Sequence, residues 1–175
     1  MARRPRKISA VYLSRVTAHY LERYASSRKN LERLLDKRVY RAVEEHAQDI
    51  EEARALVQDE LDRLERLNLL SDARYAADRA RSLHRRGMGS RRIRQTLRSK
   101  GVSSDDIDAA LVALGEDADL AAAATYARKR RLGPWRAGEA DRERAQKELN
   151  RMGRAGFPFP LARRVVDAAD PDELT

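Results

Sequence analysis

Cysteine is absent from the chain, so disulfides, thiolate-held metals and a cysteine nucleophile are excluded from the start. Long hydrophobic runs are absent too: no stretch approaches the roughly 18 consecutive apolar residues that a membrane span requires. Met1 to Lys7 leads into a polar amphipathic segment rather than a signal-peptide core, so a cytoplasmic protein with no membrane partner is expected. Aromatic residues are scarce at 5%, against 37% charged residues. With abundant Ala, Leu, Arg and Glu, this is the composition of helix, since these residues lose least on entering one. A large barrel or doubly wound sheet is not expected in 175 residues; the fold class predicted is all-α.

The usual chemical constellations are missing as well. His19, His46 and His84 are scattered. His46 and Asp49 sit three apart, but a zinc site takes three or four ligands, so no metal is assigned. Gly87-Met88-Gly89 has no preceding strand, no third glycine and no Lys-Ser/Thr pair, which leaves nucleotide-loop binding unsupported. No serine nucleophile elbow is present, and the many carboxylates have no evident pocket to shift their pKa values. No catalytic residue and no cofactor are therefore predicted.

Basic charge is plentiful: 37 Lys and Arg exceed 28 Asp and Glu, for a net +9 and a pI near 10.2. Such a chain favours encounters with polyanions, in a salt-sensitive way. Residues 1–7 carry Arg3, Arg4, Arg6 and Lys7 and read as a disordered basic tail, either a solvated terminus or an arm that touches phosphate. Leu13, Val16, Tyr20, Leu21 and Tyr24 predict a first helix over 8–25 with these residues inward. Leu31, Leu34 and Leu35 predict a second over 28–41. A long third helix follows, its buried side running from Ile50 to Leu67. The acids between Glu44 and Asp62 face a single Arg54 and read as a solvated face or as partners for basic helices of the same chain.

Ser71 or Asp72 opens a helix over 73–86, and Ser103 to Asp106 opens another that Gly115 ends. Further helices are predicted over 118–131, 139–152 and 161–169. Trp135, after Gly133-Pro134, reads as a packing anchor rather than a base-stacking platform. The most informative stretch runs from Gly87 to Gly101. Ser90 caps its start, Gly101 closes its end, Ile93 and Leu97 form an apolar stripe, and Arg91, Arg94 and Arg98 form a cationic one.

Nine helices fall into three groups, 8–70, 73–115 and 117–169, followed by a tail over 170–175. Leu97-x-x-x-Gly101-Val102 in the second group is echoed by Met152-x-x-x-Gly156-Phe157 in the third. In the first group Leu31 and Leu35 stand where Ile93 and Leu97 do, but Val39 replaces the glycine. Small three-helix units bury their remaining apolar surface by stacking, which predicts an elongated, curved array of three tandem three-helix repeats. A long array suits a long partner, and its basic helices supply the candidate binding face. Those residues are Arg91, Arg92, Arg94, Arg98 and Lys100 in the second repeat. Arg28, Lys29 and Arg33 are related in the first, and Arg128, Lys129 and Arg130 in the third.

Leu70-Ser-Asp-Ala-Arg-Tyr-Ala, the run from Gly87 to Val102 and Arg154-Ala-Gly-Phe157 together resemble the RecX family of recombination regulators. The family's run G-x-x-x-I-x-x-x-L-x-x-K-G is met by Gly89, Ile93, Leu97, Lys100 and Gly101. The resemblance implies a monomeric, non-enzymatic modulator of DNA recombination and repair. It would bind the RecA recombinase filament on single-stranded DNA, directly touching the strand or reaching it through the filament, and inhibit strand exchange, ATP hydrolysis and co-protease activity. The alternative is an autonomous DNA-binding protein of helix-turn-helix type, suggested by the +9 charge and the joint at Gly101.

Overall fold

Short polar side chains set where the helices begin. In the computed structural model, which describes residues 5–139 and 141–174, Ser9 accepts the Tyr12 amide at 3.3 Å and starts α1 (Ala10–Leu21). Ser27 accepts from Asn30 at 3.3 Å to start α2 (Arg28–His46), and Asp49 accepts from Glu52 at 2.8 Å to start α3 (Ile50–Arg66). Each fills one of the amides that a helix start leaves unpaired. The chain continues through α4 (Asp72–Arg85), α5 (Ser90–Ser99), α6 (Ser104–Val112), α7 (Ala118–Arg130), α8 (Arg142–Arg154) and α9 (Phe159–Asp167). Two short 3-10 turns, Gly133–Trp135 and Pro171–Leu174, complete it, and no strand occurs among the described residues. The all-α expectation holds. Arg3 and Arg4 of the expected basic tail lie outside the described residues, while the Pro5 carbonyl meets His46 Nε2 at 2.9 Å.

The helices form two compact units. Residues up to Tyr75 with Lys100–Ser103 make the first; Ala76–Ser99 with Ser104 onward make the second. In the first, α1, α2 and α3 close over Leu13, Leu31, Leu35, Val39, Ala53, Val57, Leu61 and Leu64. α2 runs to His46, five residues beyond its predicted end, because Val39 continues the buried stripe instead of turning the chain. The turn comes at Ala47, held in the left-handed region at φ 47°. Gln48 then ties the segment down, donating to and accepting from the Ile8 backbone at 3.0 and 2.8 Å. Two residues expected inward are exposed: Tyr24 at 57% and Leu67 at 55%, because α1 stops at Leu21 and α3 at Arg66.

One carboxylate is buried in this unit. Glu60 receives the Thr17 hydroxyl at 2.6 Å and both Arg63 Nε and Nη2 at 2.7 and 2.9 Å. Burial pushes its pKa up, but the hydrogen bonds from Arg63 and Thr17 and the Arg63 charge outweigh that, leaving it below the usual carboxylate range.

In the second unit α7, α8 and α9 enclose Ala122, Ala123, Ala127, Leu132, Met152, Phe157, Val165 and Val166, with Trp135 packed against them. Leu174 is buried in the same core, so the expected tail over 170–175 includes a packed turn at Pro171–Leu174. Glu148, also buried, accepts the Gly133 amide at 2.9 Å and thereby holds the turn that carries Trp135. Ser90 does not cap α5. Asp119 does so from α7, accepting both the Ser90 amide and its hydroxyl at 2.8 Å. Ser90 is instead the first residue of the helix.

The turn between α8 and α9 lies directly on the start of α5. Gly89 donates to the Ala155 carbonyl at 3.0 Å, and a Cβ on Gly89 would meet the Gly156 carbonyl carbon at 2.6 Å. Gly156 has φ +99°, and a Cβ there would stand 2.5 Å from the Arg92 amide nitrogen. Backbone strain and backbone clash thus coincide at Gly156.

Two predictions follow from these contacts. Gly156→Ala should lose about 2–3 kcal/mol of stability by urea denaturation, whereas Gly153→Ala, on the open side of α8, should gain about 0.5–1 kcal/mol. Glu60, with its lowered folded-state pKa, contributes stability that is present above its unfolded value and lost as pH falls through the folded value. Thr17→Val should therefore cost about 1–2 kcal/mol at pH 7 and less in acid below the carboxylate range, read from urea midpoints.

Candidate anion-binding cleft

Where α5 starts, α7 ends and α8 ends, the second unit forms a cleft of about 660 Å³. Its lining includes Gly87, Met88, Gly153, Ala155 and Gly156, three of them glycines. The absence of side chains on those glycines leaves the walls to long cations. Arg86 follows α4, Arg91 and Arg92 occupy the first turn of α5, Lys129 and Arg130 the last turn of α7, and Arg154 closes α8. Among the described residues no carboxylate lines the cleft. Among the described residues none of these six cations has an acidic partner. A second hollow of about 520 Å³ shares Lys129, Arg130 and Arg154 and adds Arg131 and Arg151.

Local order is supplied by a few weak contacts. Lys129 Nζ donates to the Arg86 carbonyl at 3.3 Å, and Arg92 Nη1 donates to Gln95 at 3.3 Å. The Arg130 guanidinium lies 6.0 Å from the Tyr126 ring centre, and Tyr126 in turn packs tilted on Phe157 at 5.9 Å. Cations in the last turns of α7 and α8 are placed where the helix dipole favours them. At the start of α5 the dipole has the opposite sense and its donors are occupied by Asp119, so Arg91 and Arg92 gain no help from the dipole there. Like charges gathered in this way cost self-repulsion until an anion arrives. Guanidinium groups can then grip phosphate or carboxylate through paired N–H donors.

The structure sorts the sequence-predicted basic residues into two kinds. Arg91, Arg92, Lys129 and Arg130 come together in the cleft. Arg94 faces α6 and forms an ion pair with Asp108, so the predicted stripe of Arg91, Arg94 and Arg98 is not a single free surface. Arg98 and Arg128 are exposed but lie outside the cleft lining. Lys100, counted with the first unit, donates from Nζ to Asn30 at 3.0 Å. In that unit Arg28 is held by Asp62 at 2.7 Å and Glu65 at 2.6 Å, and Lys29 by Glu32 at 2.7 Å. Those acids draw on Arg28 to raise its pKa despite the opposing effect of burial. Arg33 is exposed on α2. Sequence reasoning missed Arg86, Arg151 and Arg154 as parts of the basic surface. The signal for them was the repeated glycine joint, since Arg154 stands two residues before Gly156 as Ser99 does before Gly101.

Fold and cleft together define an all-helical protein whose second unit carries a basic cleft. Residues 71–111 match the family model described as RecX, second three-helix domain. The chain is 40% identical over 168 residues to a protein of Myxococcus xanthus named regulatory protein RecX, covering 95% of this chain and 90% of that one. A protein of the same name from Agrobacterium fabrum is 39% identical over 100 residues, 57% of this chain and 53% of that one. The crystal structure of RecX from Lactobacillus salivarius superposes with a TM-score of 0.70 at 19% identity, covering 91% of this chain and 96% of the other. The chain belongs to the RecX family of regulatory proteins.

Neutralising three cleft cations, Arg91→Gln, Arg130→Gln and Arg154→Gln, should flatten the dependence of log affinity on log salt for an oligothymidylate by about 2, at roughly 0.7 per phosphate contact on a single strand. The melting temperature should not fall, because none of the three has an acidic partner among the described residues.

Proposed function

We propose that this protein binds the RecA recombinase filament on single-stranded DNA and inhibits its strand exchange, ATP hydrolysis and co-protease activity, with no chemistry of its own. The observation that carries this reading is family membership along 95% of the chain. The basic cleft supports it: a filament offers DNA phosphates and acidic protein surface in regular array, and six cations without acidic partners suit either. Arg91, Arg92, Lys129 and Arg130, with Arg86 and Arg154, form the proposed contact surface. The match of 71–111 to a second three-helix domain supports an organisation in three tandem three-helix repeats. The protein is further proposed to act as a cytoplasmic monomer; among the described residues no helix is long and apolar enough to cross a membrane.

The test is co-sedimentation with ATP-loaded RecA filaments, paired with a strand-exchange assay. The protein should pellet with the filament and slow exchange, and Arg91→Glu combined with Arg130→Glu should weaken both effects at least tenfold. Failure to pellet together with unchanged exchange would overturn the reading.

A further inference from the structure

The first unit has a second unexplained surface, of a different chemistry. A cleft of about 490 Å³ opens between α1 and the later half of α2. Tyr20 on α1 and Tyr24, three residues past its end, have ring centres 5.2 Å from each other, tilted by 40°. Arg15 on α1 and Arg23 just past its end line the cleft, together with Arg38 and Arg41 of α2. Arg38 Nη1 donates to the Tyr12 hydroxyl at 3.3 Å, which steadies its guanidinium beside the rings. The cleft lining contains no carboxylate, and Arg15, Arg23 and Arg41 form no ion pair among the described residues.

Two facts make this more than a solvated face. Within the same unit Arg28, Lys29, Arg54 and Arg63 each have an acidic partner, which the cleft arginines Arg15, Arg23 and Arg41 lack among the described residues. Tyr24 is also 57% exposed with its ring beside that of Tyr20, so an aromatic face is presented to solvent within reach of several cations.

We propose that this cleft is a receptor for an unpaired nucleic-acid strand, the tyrosines stacking on bases and the arginines meeting the flanking phosphates. Aromatic faces interleaved with cations are what a single strand requires, because its bases are open for stacking and its backbone is anionic. A duplex hides its base faces, and an acidic peptide would satisfy the arginines while leaving the rings unfilled. The site goes beyond binding to the recombinase filament, since it needs no recombinase.

The experiment uses the full chain without RecA and reads fluorescence anisotropy. The probes are labelled oligothymidylate, oligouridylate, an abasic strand of equal length, a duplex and a polyglutamate peptide. Oligothymidylate or oligouridylate should bind about tenfold tighter than the abasic strand. Tyr24→Ala should remove that preference while leaving abasic binding and the melting temperature unchanged, and Tyr24→Phe should retain it. Arg23→Gln with Arg41→Gln should weaken all strands alike. Equal binding of the abasic strand, an unaffected Tyr24→Ala variant, or polyglutamate binding as tightly as oligothymidylate would each overturn the proposal. Co-sedimentation with RecA separates the two readings. Wild-type protein that pellets with filaments but shows no base preference leaves filament binding standing and this site refuted; base preference without pelleting gives the converse.

Discussion

Contact between two glycine backbones underlies the architecture of the second unit. Gly89 and Gly156 approach so closely that a Cβ on either would collide with main-chain atoms, which puts the α8–α9 turn on the first turn of α5. Three consequences flow from that contact. The Gly89 amide gains the Ala155 carbonyl, Arg92 is brought against the turn, and Gly156 lines the cleft with no side chain to fill it. Asp119 reinforces the arrangement by occupying the unpaired donors at the start of α5. The cations are thus long arms extending from closely packed backbone.

Distribution of the acids decides which of the cations stay available. The carboxylates of α3 are largely turned to internal use: Asp62 and Glu65 hold Arg28, Glu60 holds Arg63 and Thr17, and Glu51 holds Arg54. The acidic region therefore serves in part as an internal counterweight for basic residues of its own unit. Exposed pairs of this kind contribute little stability, on the order of 0–1 kcal/mol each. Their larger effect is on the surface potential. Cancelled charge in one place lets the uncancelled clusters define where a polyanion docks.

Much of this was legible in the sequence, for identifiable reasons. Helix positions followed from apolar spacing and cap residues, and Gly101 closes α5 in the left-handed conformation, φ +78°, that its place required. The family was legible because its pattern lies in the contiguous run from Gly89 to Gly101. Partners between helices were not legible. That Arg94 meets Asp108 while Arg91 stays free depends on how α6 folds back onto α5, and spacing along one helix carries no information about that. Ser90 looked like a cap for the same reason; only the fold brings Asp119 to it. Tyr24 continues a helical stripe in the sequence and so reads as a core residue, but the helix ends three residues before it.

Val39 shows how a departure from a repeat can itself create a surface. Leu31, Leu35 and Val39 occupy the places of Ile93, Leu97 and Gly101. α5 ends at Ser99, two residues before its glycine, so a chain that turned equivalently would end α2 at Lys37. Valine disfavours the left-handed turn that glycine permits, and its side chain has a core to enter, so it is buried at 1% exposure and the helix continues. The extension carries Arg38 and Arg41 on helix, one turn of stable backbone beyond where the other unit has a loop, and sets them opposite Tyr20 and Tyr24. The missing glycine, which makes the first unit the poorest match to the repeat, is also what gives that unit the second wall of its own cleft.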